Sequence, residues 1–290
     1  MFSGRSVRLA VKARSWNPTQ NEWKLAAQCV QAEEKDRIGK FIFKKDAKLS
    51  MVGRLLLRYA VSRMLDVPYR SLMFGRTEKG KPVLLSPFDK LSPRCDISFN
   101  ISHQGDYVVL AAERSNLIGV DIMKVEWPRN KPISEFFNTM ERQLTSHEWS
   151  EVKRKKGDME QLKTFFRLWC LKESVVKAMG TGIGFEVNRL NFLFRTPELQ
   201  LGHMVCDTVV EIDDEPAPEW RLQETMLEDH CVAVAVNVDP GSSAKDDEVP
   251  RFHILDIQEL LRNCEPLAGS SPDMEYWEMF SSRQEDPSAR

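Results

Sequence analysis

Three groups of residues in this chain have the types and spacing that phosphate and metal chemistry require. The densest is Trp169-Cys170-Leu171-Lys172-Glu173-Ser174-Val175-Val176-Lys177, where Trp169, Glu173 and Lys177 recur every fourth residue. A helix puts all three on one face. A Glu four residues ahead of a Lys is also the favoured order of a surface ion pair, and alone it implies nothing more. The second group is Gly119-Val120-Asp121-Ile122-Met123. Strand alternation predicts Val120 and Ile122 on one face and Asp121 and Met123 on the other. A carboxylate among apolar neighbours is costly to bury, so Asp121 lines a cleft, pairs with a cation or ends the strand.

The third group is basic and small: Arg37, then Arg76, Lys79, Gly80, Lys81 and Pro82, then Asn100, Ile101, Ser102 and His103. Lys and Arg supply charge for a phosphate, glycine admits close backbone approach, and Ser102 and His103 at a strand end offer short donors. Standing alone, the Arg76 to Lys81 stretch reads as a solvated turn between elements. Two other stretches lack the context for chemistry. Gly180-Thr181-Gly182-Ile183-Gly184 follows a helix rather than a strand, so it reads as a helix stop and not as a nucleotide loop. Lys153 to Lys156 sit at an exposed helix end, where cations suit the dipole.

These groups must be positioned by a mixed set of elements. Val7 to Val11 reads as a strand, and Gln20 to Asp66 as helices ending in a long amphipathic one from Lys44 to Leu65, closed by Pro68. Strands are expected near Pro82–Leu85, Asp96–Ile101, Tyr107–Glu113 and Ile118–Met123, with a turn at Gln104-Gly105-Asp106. Helical period returns at Ile133. Thr145 and Glu148 are spaced as a capping box, and Asp158 is placed to cap a helix that runs to Met179 and stops at Gly180. Strands recur at Leu190–Phe194, Val205–Ile212 and His230–Val238. Charged helix, long helix and strands thus occur once in each half, which reads as an internal duplication in element order rather than residue identity.

The 290 residues bound the chain to one large or two small domains, and 42% hydrophobic residues supply a sizeable core. With 41 basic against 43 acidic residues, no global charge draws nucleic acid, so an anionic ligand must be held by a local cluster. Six cysteines without a CxxC pair, several among apolar residues, predict reduced thiols. No apolar run approaches membrane-spanning length, and the opening MFSGRSVRLAVK lacks an apolar leader core. The expectation is a cytoplasmic protein with neither a membrane nor a nucleic-acid partner. After Asn237 the composition turns to Pro, Gly, Ser and acidic residues, which predicts a mostly flexible tail in which Phe252–Leu261 and Tyr276–Phe280 are apolar enough to dock.

Taken in order, Lys79-Gly-Lys81-Pro, Asn-Ile-Ser102-His103, Gly-Val-Asp121-Ile and Trp169-x-x-Lys-Glu173-Ser-x-x-Lys177 resemble the 4′-phosphopantetheinyl transferases, specifically their monomeric, broad-specificity animal type. The resemblance covers Arg14 to Asn237. It implies an α+β fold, a pseudo-dimer of two similar α+β halves with coenzyme A in the cleft between them. We expect a coenzyme A-binding half over 1–124, a half with the metal and catalytic helix over 125–238, and the tail over 239–290.

The implied activity is Mg²⁺-dependent transfer of 4′-phosphopantetheine from coenzyme A to a serine of apo carrier-protein domains, releasing adenosine 3′,5′-bisphosphate. The carriers would be of the fatty acid synthase and aminoadipate-semialdehyde dehydrogenase types. By position, Asp121 and Glu173 resemble Mg²⁺ ligands and Lys177 a phosphate contact, and all three would be catalytic. Arg37, Arg76, Lys79, Gly80, Lys81, Asn100, Ile101, Ser102 and His103 resemble residues that hold coenzyme A. Glu173 is also the candidate base for the serine proton. The chain departs from a common version of the pattern at Met123, where relatives in bacteria often carry an acid; Gln104 or water would fill that place. A non-catalytic coenzyme A-binding module is the alternative, but it would have no need of Glu173 and Lys177.

Overall fold

The computed structural model describes residues 6–86, 96–114, 116–129, 131–238 and 249–286. The chain divides into two compact units. Unit 1 comprises Met1–Ile97, Ile101–Ala112 and Phe252–Arg290, and unit 2 comprises Ser98–Asn100 and Glu113–Arg251.

Unit 1 opens with β1 (Ser6–Lys12) and three helices: α1 (Gln20–Gln28), α2 (Ala32–Gly39) and α3 (Lys44–Leu65). Each of the first two starts on a reciprocal cap: Thr19 with Glu22 for α1 and Gln31 with Glu34 for α2. The 22-residue α3 is buried along most of its length and ends at Asp66 in the left-handed region. Its Arg58 is itself buried, and the guanidinium donates to Leu72 O at 2.6 Å and Gln31 Oε1 at 2.9 Å. A short antiparallel pair follows, β2 (Met73–Arg76) with β3 (Pro82–Ser86), then the long strands β4 (Ile97–Gln104) and β5 (Tyr107–Arg114), of which residues 98–100 and 113–114 are grouped with unit 2.

Unit 2 repeats this plan. Its first strand, β6 (Leu117–Lys124), is followed by α4 (Ile133–Thr139), α5 (Ser146–Arg154) and a second 22-residue helix, α6 (Asp158–Met179). The expected capping box of α5 is present, whereas α6 is capped by Gly157, so that Asp158 is its first helical residue rather than its cap. Gly180 ends α6 at φ 68°, where only glycine is at ease, and its N–H bonds Val176 O. A small sheet ordered β7-β8-β9 (Leu190–Leu193, Val209–Ile212, Glu215–Pro216) and a long hairpin, β10 (Trp220–Leu227) with β11 (His230–Asn237), complete the unit. Of the expected strand over Val205–Ile212, only 209–212 is regular; Val205 makes an isolated bridge to Glu224.

The C-terminal residues return to unit 1 as β12 (His253–Ile254), α7 (Ile257–Arg262) and α8 (Met274–Ser281). This differs from the expected mostly flexible tail over 239–290; residues 239–248 lie outside the described residues. The apolar stretches noted in the sequence supply the anchors. β12 runs parallel to β1, Phe280 stacks on Trp23 at 3.7 Å between centroids, and Lys35 pairs with Asp273 at 2.5 Å. Buried Lys48 pairs with Glu285, and Arg283 donates to Gly39 O at 2.6 Å.

The duplication is visible in the sheet orders: β12-β1-β5-β4 in unit 1 and β10-β11-β6 in unit 2. In both, the unit's first strand lies beside the second strand of its hairpin, and a 22-residue helix precedes that hairpin. The sequence boundary after residue 124 left β6 in the first half. In the structure β6 pairs with β11 from Leu117 to Lys124 and is grouped with unit 2.

Candidate active site

In unit 2, α6 lies directly on β6. A Cβ built on Gly119 would sit 2.0 Å from the Ser174 carbonyl oxygen and 2.4 Å from Ala178 N, so only glycine permits this approach. Two residues along the same strand face, Asp121 is 4% exposed and pairs across the sheet with Ala233. Its Oδ1 accepts from Lys177 Nζ at 2.5 Å. Asn100 braces the strand beside it, accepting from Val120 N at 2.9 Å.

Glu173 is one helical turn before Lys177 and half-buried. Burial raises its carboxyl pKa, the Asp121 charge raises it further, and Lys177 offsets part of the rise. One turn earlier still, Trp169 stacks on Phe165 with planes 9° apart. The neighbouring residues of the motif turn inward. Lys172 is fully buried, pairs with Glu148 at 2.8 Å and donates to Val187 O at 3.0 Å and Leu190 O at 2.5 Å, so it ties α5 and the start of β7 to α6. Cys170 is buried with its thiol pushed well up by desolvation, which makes it inert. Met123 is part of the apolar packing around α6, opposite Cys231.

Two carboxylates that repel one another, Asp121 buried and Glu173 half-buried, beside a lysine form the donor set a hard divalent cation takes, since it binds carboxylate and phosphate oxygens. Asp121 and Glu173 therefore fit such an ion. Lys177 supplies a mobile positive charge for phosphate oxygens.

Unit 1 gathers a basic cluster. Arg37 on α2 and Arg76 on β2 both face Glu33 Oε1, at 3.5 and 3.9 Å. Arg76 also donates to Gly80 O at 2.9 Å, which shapes a turn closed by Thr77 N to Lys81 O at 2.9 Å. Lys79 and Gly80 are exposed on that turn; Lys81 is half-buried, and desolvation lowers its ammonium pKa. On β4, Ile101 packs near Gly53 of α3, Ser102 is buried and His103 exposed. The structure thus brings Arg37, Arg76 and the 76–81 turn together in unit 1, and Asn100, Asp121, Glu173 and Lys177 together in unit 2. Sequence reasoning missed Arg54 of α3, whose Nε is 3.8 Å from Glu34 Oε1 and whose electrostatic neighbours include Arg76 and Arg37. In the sequence it is one more basic residue of an amphipathic helix, and only its place beside α2 distinguishes it.

Comparison with known proteins adds independent findings. Residues 14–115 match the family described as 4′-phosphopantetheinyl transferase, N-terminal, and residues 117–235 match the 4′-phosphopantetheinyl transferase superfamily. The chain is 40% identical to the L-aminoadipate-semialdehyde dehydrogenase-phosphopantetheinyl transferase of Homo sapiens, with 98% of this chain and 94% of that protein covered. It is 42% identical to the protein of the same name from Xenopus laevis, covering 97% and 94%. A phosphopantetheinyl transferase of Thraustochytrium is 34% identical over 84% of this chain and 81% of its own length.

Proposed function

The chain belongs to the 4′-phosphopantetheinyl transferases and is a transferase that moves 4′-phosphopantetheine from coenzyme A to carrier proteins, and we propose that Asp121, Glu173 and Lys177 carry out the transfer. The observation that carries this assignment is the convergence of the three on the β6–α6 contact. Mg²⁺, held by Asp121 and Glu173, would supply neutralisation of the pyrophosphate charge.

Lys177, already directed at Asp121, is long enough to turn to a phosphate oxygen and offset charge that builds during transfer. Glu173, one helical turn from Lys177 and beside Asp121, takes the proton of the carrier serine. The serine oxygen bonds to the pantetheine-side phosphorus as the anhydride P–O bond breaks. Adenosine 3′,5′-bisphosphate leaves with the bonding electron pair. Catalysis is then mainly positioning and electrostatics. Arg37, Arg76, Lys79, Gly80, Lys81, Ile101, Ser102 and His103 bind the nucleotide end of coenzyme A, while Asn100 holds the strand that carries Asp121. Because one chain carries both halves, we take the working unit to be a monomer, and we propose the cytoplasm as its place of action.

The test is incubation of the protein with coenzyme A, Mg²⁺ and an apo carrier domain of the fatty acid synthase or aminoadipate-semialdehyde dehydrogenase type, followed by mass measurement of the carrier. A gain of one phosphopantetheine on the carrier serine is expected. An unmodified carrier of both types would overturn the reading.

A further inference from the structure

The Arg54 guanidinium is unusual among the basic residues of unit 1. Its side chain is 16% exposed, and among the described residues it makes no hydrogen bond; the carboxylate it pairs with, Glu34 Oε1, is at 3.8 Å, beyond bonding distance, and Glu33 acts on it only through its charge. Five N–H donors in a largely desolvated place without acceptors are costly unless something supplies them. Glu34 is held in place by capping α2, its Oε2 accepting from Gln31 N at 3.1 Å, with Oε1 left at 3.8 Å from Arg54 Nε. Arg37 and Arg76 share Glu33 Oε1 at 3.5 and 3.9 Å. The cluster therefore holds three guanidiniums against two carboxylates, and the like charges of Arg76 and Arg37 bear on Arg54. The side chain is not fully enclosed, since 16% of its surface remains open.

We propose that Arg54 is a specificity-determining residue of the transfer reaction that reads the 3′-phosphate of coenzyme A with its guanidinium fork, alongside Arg37 and Arg76. This rests on the reading of the protein as a coenzyme A-dependent transferase. Coenzyme A has two anionic groups. The pyrophosphate is matched by the lysine and carboxylates of unit 2, and the remaining phosphomonoester carries close to two negative charges at neutral pH. It matches an excess of planar, bidentate donors. The negative partner that Arg54 lacks in the protein is the one the substrate brings.

The test compares the binding of coenzyme A and 3′-dephospho-coenzyme A by calorimetry to wild type, Arg54→Gln and Arg54→Lys, with melting temperature recorded for each. Wild type should prefer coenzyme A. Arg54→Gln should bind coenzyme A about tenfold to a hundredfold more weakly and the dephospho form no more than about twofold more weakly. Arg54→Lys, which keeps the charge without the fork, should recover part of the preference. A merely structural Arg54 would lower melting temperature and weaken both ligands equally, which would overturn the proposal. So would an unchanged preference in both variants. If Arg54→Gln fails to fold, the ratio in Arg54→Lys decides alone. Failure of the broader reading is distinct: the wild type would then bind neither form, or leave an apo carrier unmodified.

Discussion

Lys177 Nζ and Asp121 Oδ1 are 2.5 Å apart, which joins the last turn of α6 to the middle of β6 within unit 2. The pair is asymmetric in exposure, with Asp121 at 6% and Lys177 at 29% of side-chain surface, so the lysine is the partner with freedom to move. Asp121→Asn and Lys177→Met should each lower transfer about a hundredfold or more, on the scale of losing one strong electrostatic stabiliser. Carrier mass gain against time, at saturating coenzyme A, measures it; near wild-type rates in either variant would remove that residue from the site.

Glu173 predicts a pH-dependent effect on stability. Burial and the Asp121 charge hold its pKa above the ordinary carboxylate value despite Lys177. In metal-free protein the folded state then keeps this proton to higher pH than the unfolded chain, so stability is lost as pH rises from the unfolded pKa through the folded one. Glu173→Gln should therefore melt at the same temperature as wild type near about pH 4 and higher than wild type near about pH 8, measured with chelator. Mg²⁺ should stabilise the wild type and not the variant, because ligand binding to the folded state raises apparent stability. Equal melting at both pH values would show that Glu173 is not strained by its neighbour.

Gly119→Ala tests the contact that sets the site's geometry. The new methyl would meet backbone atoms of Ser174 and Ala178, which cannot swing aside as a side chain can. A loss of about 3 kcal/mol or more is expected by denaturant titration. Transfer by the fraction that still folds should fall too, because α6 must move off β6 and carry Glu173 and Lys177 with it.

The C-terminal segment should behave as part of unit 1. Phe280→Ala removes a ring stacked on fully buried Trp23 and should cost about 3–5 kcal/mol. The Michaelis constant for coenzyme A should rise with it, since α8 flanks the helix bearing Arg37 and Arg283 caps that helix at Gly39. A variant with wild-type stability would mean that the tail is dispensable to unit 1.

Some of this molecule was legible from residues alone. The caps at Thr145 and Gly180, the two long helices and the strand around Asp121 are local signals, set by side chains within a few residues of the backbone they satisfy. Trp220–Leu227 was not legible as a strand. Its Gln223, Glu224 and Thr225 are buried polar residues, and Glu224 is tolerated there because Arg167 of α6 pairs with both of its oxygens at 2.7 and 2.9 Å. That compensation lies 57 residues away.

The sequence by itself determined the residue types of the site and their places on single elements, because the four-residue spacing of Glu173 and Lys177 and the two-residue spacing of Gly119 and Asp121 are read on one helix and one strand. Tertiary structure alone decided that these two elements touch at Gly119, that Arg54 joins Arg37 and Arg76, and that the tail is built into unit 1. Those are contacts between segments far apart in the chain. They depend on which surfaces bury against each other and which charges find partners there, and no local pattern encodes that choice.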